Sequence, residues 1–175
     1  MKKGLVVIWV LITVLGSGCM QSQQTADSVQ SNVRQTTAGI PAADPVDAYL
    51  LVVDDLFNQN TNLNGNAEYL AIDCSAMVNL TAEGRNRLLA ELEKYGLKIL
   101  DKSMDQLKTE GYITNLSFEN GIYFEIKDQP MSESTILMTA MKWRSGLGAI
   151  GWENRTVSWQ NNSWALDESK ETWVS

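Results

Sequence analysis

Tryptophan crowds the last third of this 175-residue chain, interleaved with cations, and that mixture is the most suggestive chemistry in it. Trp143, Trp152, Trp159, Trp164 and Trp173 lie among Lys142, Arg144 and Arg155. Indole faces take cations and sugar rings, and Trp beside Arg recurs at interface hot spots. Trp159 and Trp164 flank one turn and are expected to pair across a hairpin, which is a structural use. Trp143 and Trp152 stand on either side of a glycine run. They are expected to form an exposed pair that, with Arg144, makes a binding surface.

Catalytic chemistry is harder to assemble. The chain has no histidine, which removes Ser-His-Asp and Cys-His catalysis and imidazole-bound zinc. Carboxylate pairs for acid–base work could be drawn from Asp54, Asp55, Asp73, Asp101 and Asp128, but nothing in the sequence fixes their separation. Ser145 sits beside Lys142 and Arg144 without the motif that a Ser-Lys nucleophile needs. Cys74 reads as a small buried hydrophobe within a strand. No catalytic residue is therefore assigned, and the protein is expected to be non-enzymatic.

Two motifs match by letter and fail by context. Gly146-Leu147-Gly148-Ala149-Ile150-Gly151 has the G-x-G-x-x-G spacing, yet Trp152 to Arg155 leads into a strand and supplies no helix N-terminus for a pyrophosphate. A glycine-rich turn or bulge is expected there. Asn60-x-Asn62-x-Asn64-Gly65 imitates half a calcium loop, but it has no aspartate and Ala71 stands where a bidentate glutamate belongs. A solvated asparagine-rich loop is expected. No cofactor and no metal site follows from the sequence.

The elements that must position these residues begin at Asp44-Pro45, an N-cap followed by proline at the first helical position. Val46, Tyr49, Leu50, Val53, Leu56 and Phe57 then recur at helical spacing to about Asn58. Residues 68–74 read as a strand, a helix follows a cap near Thr81 and stops at Gly96, and 97–100 read as a second strand, making a β-α-β unit. Ser103-Met104-Asp105-Gln106 is a capping box that opens a short helix ending at Gly111. The period then changes to alternation: 113–119 and 122–127 around Asn120-Gly121, 135–143, and a last hairpin around Asn161-Asn162. The expected fold is α+β, with N-terminal helices and one β-α-β unit followed by an antiparallel meander sheet, in a single small domain over 44–175.

Ahead of that domain the chain carries an address. Lys2 and Lys3 precede an apolar run from Leu5 to Leu15, too short for the about 20 residues that cross a bilayer, and small residues precede Cys19. Residues 1–18 read as an export signal peptide. Residues 19–43 are rich in Gln, Ser, Thr and Ala and read as a flexible tether of about 25–30 Å typical reach. Lys2 and Lys3 leave with the signal and no acidic residue does, which takes the net charge from −7 to −9. Such a chain is repelled by nucleic acid, so none is expected as a partner.

Gly16-Ser17-Gly18-Cys19 resembles the lipobox of bacterial lipoproteins, with Leu15 four residues before the cysteine and Gly16-x-Gly18 also fitting ordinary signal peptidase. The resemblance implies diacylation of Cys19, palmitate-type chains included, and anchoring to the outer face of the cell membrane. Tyr69-Leu70-Ala71-Ile72-Asp73, the run from Lys142 to Gly151 and Thr172-Trp173-Val174-Ser175 resemble a group of small secreted proteins and lipoproteins of Gram-positive, spore-forming bacteria. That resemblance implies a shared fold and an envelope location, and it carries over no catalytic residue. The expected function is a cell-envelope binding module for a protein or cell-wall glycan partner. The alternatives are a carboxylate-dependent envelope hydrolase, or an accessory subunit of a membrane complex that docks through the helix of Asp44 to Asn58.

Overall fold

Asp44 and Pro45 start the first helix as their types require: Asp44 Oδ1 accepts the backbone N–H of Val46 at 2.9 Å and proline occupies the first turn. A computed structural model describes residues 43–175 apart from 168 and 170. Cys19, the expected leader 1–18 and all of the expected tether but residue 43 lie outside the described residues. Helix α1 (Pro45–Asn58) buries Val46, Ala48, Tyr49, Val52, Val53 and Leu56. Helix α2 (Ala82–Leu92) packs beside it, capped by Thr81 Oγ1, which accepts from Gly84 N. The polar side of α1 is occupied as well. Arg87 pairs with Asp44 and Asp47, Lys94 and Tyr95 bind Asp54, and Trp152 Nε1 donates to Asp55 at 3.3 Å. Asp47 and Asn58 are the exposed residues of α1, and the rest of the helix is buried or half-buried.

The protein is a small α+β domain built on one mixed sheet. Strands β1 (Tyr69–Ile72) and β2 (Lys98–Asp101) are parallel, and β3 (Gly121–Asp128) runs parallel to β1 on its other side. Strands β4 (Thr135–Ser145), β5 (Gly148–Gln160) and β6 (Ser163–Leu166) follow antiparallel in the order β2-β1-β3-β4-β5-β6. A short β7 (Trp173–Val174) pairs with the other half of β5. Alternation divides the side chains between two cores. Leu70, Ile72, Ile122 and Phe124 join the core under α1 and α2. Ala71 and Tyr123 face the opposite way, under helix α3 (Met104–Thr109) and the segment holding Ile113 and Phe118.

Asn120-Gly121 is not a hairpin turn, contrary to expectation. The O of Asn120 accepts the N–H groups of Glu68 and Tyr69, and Gly121 opens β3 directly beside β1. Glycine stands there for space: a Cβ would lie 2.2 Å from Phe118 Cζ. Residues 113–119 accordingly form no strand of the sheet; Thr114 and Ser117 close a tight turn through two backbone hydrogen bonds. The glycine run does supply the expected turn: residues 146–147 reverse the chain between β4 and β5, beside a register shift from Trp143 to Ser145.

Lys142 is the least expected member of the core, with no exposed surface. Its Nζ donates to the carbonyl oxygens of Phe57 (3.4 Å), Gln59 (2.5 Å) and Asn60 (3.3 Å), and to Asn64 Oδ1 (3.1 Å). Phe57 O and Gln59 O lie at the negative end of α1, where a cation is favoured, and Asn60 precedes and Asn64 closes the 3₁₀ turn after it (Thr61–Asn64). Arg144 does the same next door, donating to Leu63 O (2.8 Å), Gly65 O and Glu119 O (2.6 Å). The asparagine loop is thus not merely solvated; two cations from β4 hold it.

Burial pulls the Lys142 ammonium down to about 8 from 10.5. The cost of the buried charge is complete below pH 8, where folded and unfolded chains are both protonated, and fades as pH rises toward 10.5. Lys142→Met, which takes the ammonium donor from Gln59 O while Phe57 O keeps Asn64 Nδ2 and Asn60 O keeps the N–H of Leu63, is expected to destabilise by about 1–3 kcal/mol at pH 7. The gap between wild type and variant should widen by about 2 kcal/mol between pH 7 and 10. Urea unfolding of both proteins across that range checks it, and a constant gap would contradict the assignment.

Candidate functional site

Register carries a row of side chains across the sheet on the face away from α1. Trp173 lies opposite Gly151, Gly151 opposite Met141, and Met141 opposite Glu125. One step along, Lys127 lies opposite Thr139, and one step the other way Tyr123 and Ala149 flank Trp143. Helix α3 and its following segment cover this face only near β1 and β3. The remainder holds an open groove of about 210 Å³ lined by Glu125, Lys127, Thr139, Ala140, Met141, Glu153 and Trp173.

Each wall of the groove has a local cause. A Cβ at residue 151 would lie 2.5 Å from Ala140 O and 2.7 Å from Trp173 Cζ2, so glycine is what lets the indole settle against the sheet. Trp173 nevertheless keeps 38% of its surface exposed. Glu153 and Asn154 stand in a β-bulge opposite Thr139, with Asn154 at φ 52 and its N–H donating to Thr139 Oγ1 at 3.2 Å. Glu125 and Lys127 form an ion pair at 3.0 Å. The groove therefore offers an aromatic surface, a thioether, a hydroxyl and two carboxylates of which one is paired. It suits a ligand with one apolar ring face and several hydroxyls, and its net negative charge disfavours phosphates and other anions.

The residues singled out from the sequence are separated by the sheet. Trp143 is half-buried on the groove side, packed against the cluster under α3. Arg144 turns its guanidinium to main-chain oxygens. Trp152 is fully buried on the α1 side, which overturns the expected exposed pair. Its ring lies under the Arg155 guanidinium, 5.1 Å from the centroid. Trp159 and Trp164 do pair across the last hairpin, edge to face at 5.7 Å.

The five aspartates considered for catalysis are engaged in structural bonds instead. Asp54 and Asp55 tie α1 to its neighbours, and Asp73 accepts from Ser75 N and Oγ. Asp101 pairs with Arg85 and accepts from Cys74 N. Asp128 accepts from Tyr49 OH at 2.6 Å, from Val78 N and from Asn79. Cys74 is buried in a 3₁₀ turn after β1, and burial together with the Asp101 charge pushes its thiol up to about 12, which makes it unreactive.

A cavity of about 700 Å³ lies between the N-termini of α1 and α2. Its one cation, Arg87, is paired with Asp44 and Asp47, and Asp44 and Thr81 already cap the helix ends, so it offers an anion little. Among the described residues, no group of three or more Cys, Asp or Glu could hold a metal ion.

Sequence reasoning missed Glu125, Lys127, Thr139 and Glu153. The first three alternate with apolar residues and so announce an outward face, but only register brings them beside Trp173. Gly151→Ala is expected to destabilise by about 1–3 kcal/mol and to lift Trp173 from the sheet. Denaturation and a red-shifted tryptophan emission would show both; an unchanged spectrum would place the indole elsewhere. No protein-family model matches the chain, and no curated protein and no solved structure matches it either.

Proposed function

We propose that this chain is an exported, lipid-anchored binding module of the cell envelope, attached through Cys19, and that it holds a cell-wall glycan against the open sheet face. The architecture is read as a β-α-β unit over 69–101 carrying an antiparallel meander that presents the groove. One observation carries the ligand: the half-exposed Trp173 indole lies beside carboxylates and a hydroxyl in a groove with no unpaired cation among its lining residues. Sugars bind such surfaces by laying a C–H face on the ring while hydroxyls donate to carboxylates. The export signal and tether read from the sequence place that surface near the wall.

A second reading rests on Glu125 and Glu153, two carboxylates on one groove: a hydrolase acting on the same glycan. The two are told apart with purified sacculi. The binding module predicts co-sedimentation that falls at least about tenfold in Trp173→Ala, with release of no reducing ends. Reducing ends released by wild type and lost in both Glu125→Gln and Glu153→Gln would establish the hydrolase. Unchanged co-sedimentation of Trp173→Ala would sink the groove as the ligand site.

A further inference from the structure

The two most exposed leucines of the described domain sit side by side on two neighbouring turns. Leu147 is 92% exposed at the tip of the β4–β5 hairpin, and Leu116 is 69% exposed in the turn closed by Thr114 and Ser117. The turns are fastened together by main-chain hydrogen bonds, Phe118 N to Arg144 O at 2.8 Å and Gly146 N to Leu116 O at 2.9 Å. Arg144, bound to Leu63 O, Gly65 O and Glu119 O, anchors the pair from behind.

Leu116 is also in the wrong backbone conformation for its type. Asn115 and Leu116 both have positive φ, at 50 and 58, the geometry of a primed two-residue turn. The turn at Asn161 and Asn162 has the same geometry, φ 53 and 61, and fills both positions with the residue type that tolerates it. A leucine there is strained, and being exposed it gains nothing from the core in return. What it gains must come from outside the domain.

We propose that Leu116 and Leu147 form a knob that dips into the interfacial region of a lipid bilayer. Leu147 stands exposed at a hairpin tip, and the hollow it shares with Leu116 is shallow and open, so the pair suits an apolar medium and not an enclosed ligand. The surface around it, Asn115, Ser117, Ser145 and Gly146, carries no charge in a chain of net −7, so the approach to lipid headgroups meets no carboxylate at the point of contact. The chain outside the described domain fits the same occupant, a step that rests on reading Cys19 as the anchor. Ala43 leaves the domain at the far end of α1, whose 14 residues span about 21 Å. The 24 residues from Cys19 to Ala43 reach up to roughly 80 Å when extended, enough for anchor and knob to touch one membrane.

The test attaches a polarity-sensitive fluorophore to Gly146→Cys in the full chain. Residue 146 is exposed between the leucines, and its nearest neighbour to an added Cβ is Leu116 at 3.8 Å. Cys74 is buried and the sulfur of Cys19 is taken up by its lipid, so neither competes for the label; a chain without the Gly146→Cys change, which must stay unlabelled, is the control. The chain is mixed with excess phosphatidylcholine vesicles, with and without brominated lipid. A blue shift quenched by the brominated lipid, both lost in Leu116→Asn/Leu147→Asn, is the expected result. Leu116→Asn alone should unfold at the same temperature or higher, since asparagine suits a positive φ. An unshifted label overturns the proposal whether or not the chain sediments with the vesicles, because sedimentation reports the N-terminal anchor and the label reports the knob. A label that stays in water on vesicles but shifts with an added envelope protein also overturns it and gives the leucines to a protein partner.

Discussion

A buried ammonium surrounded by neutral oxygens is the constraint on which much of this structure turns. Lys142 reaches from β4 to the last carbonyls of α1, and a charge can be kept dry there because a helix C-terminus concentrates acceptors that lack partners within the helix. The bond fixes more than one helix end. It sets how far α1 runs along the sheet, and so which side chains meet Ile136, Met138 and Trp152. It also holds the loop after α1 in place for Arg144, whose three main-chain acceptors tie that loop to the residue before Asn120. Two cations on alternate positions of one strand thus join the helical layer, the loop and the β4–β5 turn.

The two faces of the sheet are treated differently. Helices α1 and α2 close one face completely, and large side chains from every central strand meet them. On the other face α3 covers only the parallel end, and over β5 a single indole stands in for a helix. That economy depends on Gly151, because no other residue would let a ring from β7 lie so close to the backbone of β4 and β5. The bulge at Glu153 and Asn154 then tilts the next stretch of β5, leaving a groove where a regular strand would have continued flat.

Local chemistry was legible wherever one residue decides one bond. Asp44, Thr81 and the Ser103 to Gln106 box cap their helices, Gly96 ends the second helix in a left-handed conformation, and Asn161-Asn162 turns the last hairpin. What was not legible depends on partners distant in sequence. Asn120-Gly121 has the letters of a turn, but Phe118 and β1 claim its geometry. Trp152 follows a glycine run that could bend in any direction, and only pairing with Ala140 shows that it faces inward while Trp143 faces out. Lys142 and Arg144 read as surface cations because their acceptors lie some 80 residues earlier. Trp173 was visible as a tryptophan, yet its partners Gly151, Met141 and Glu125 come from three different strands.

The place of β1 between β2 and β3 has a consequence for how the chain is made. Its two neighbours arrive 29 and 52 residues later, as the pairs Tyr69–Lys98 and Tyr69–Gly121 show, and parallel pairing cannot begin as a local hairpin. Contact order is high at the centre of the sheet, which places folding among the slower small domains. Until residue 121 is available, a growing chain carries an apolar strand, Leu70 to Ile72, with one edge bare. Until β3 arrives, that edge is open to pairing with another chain.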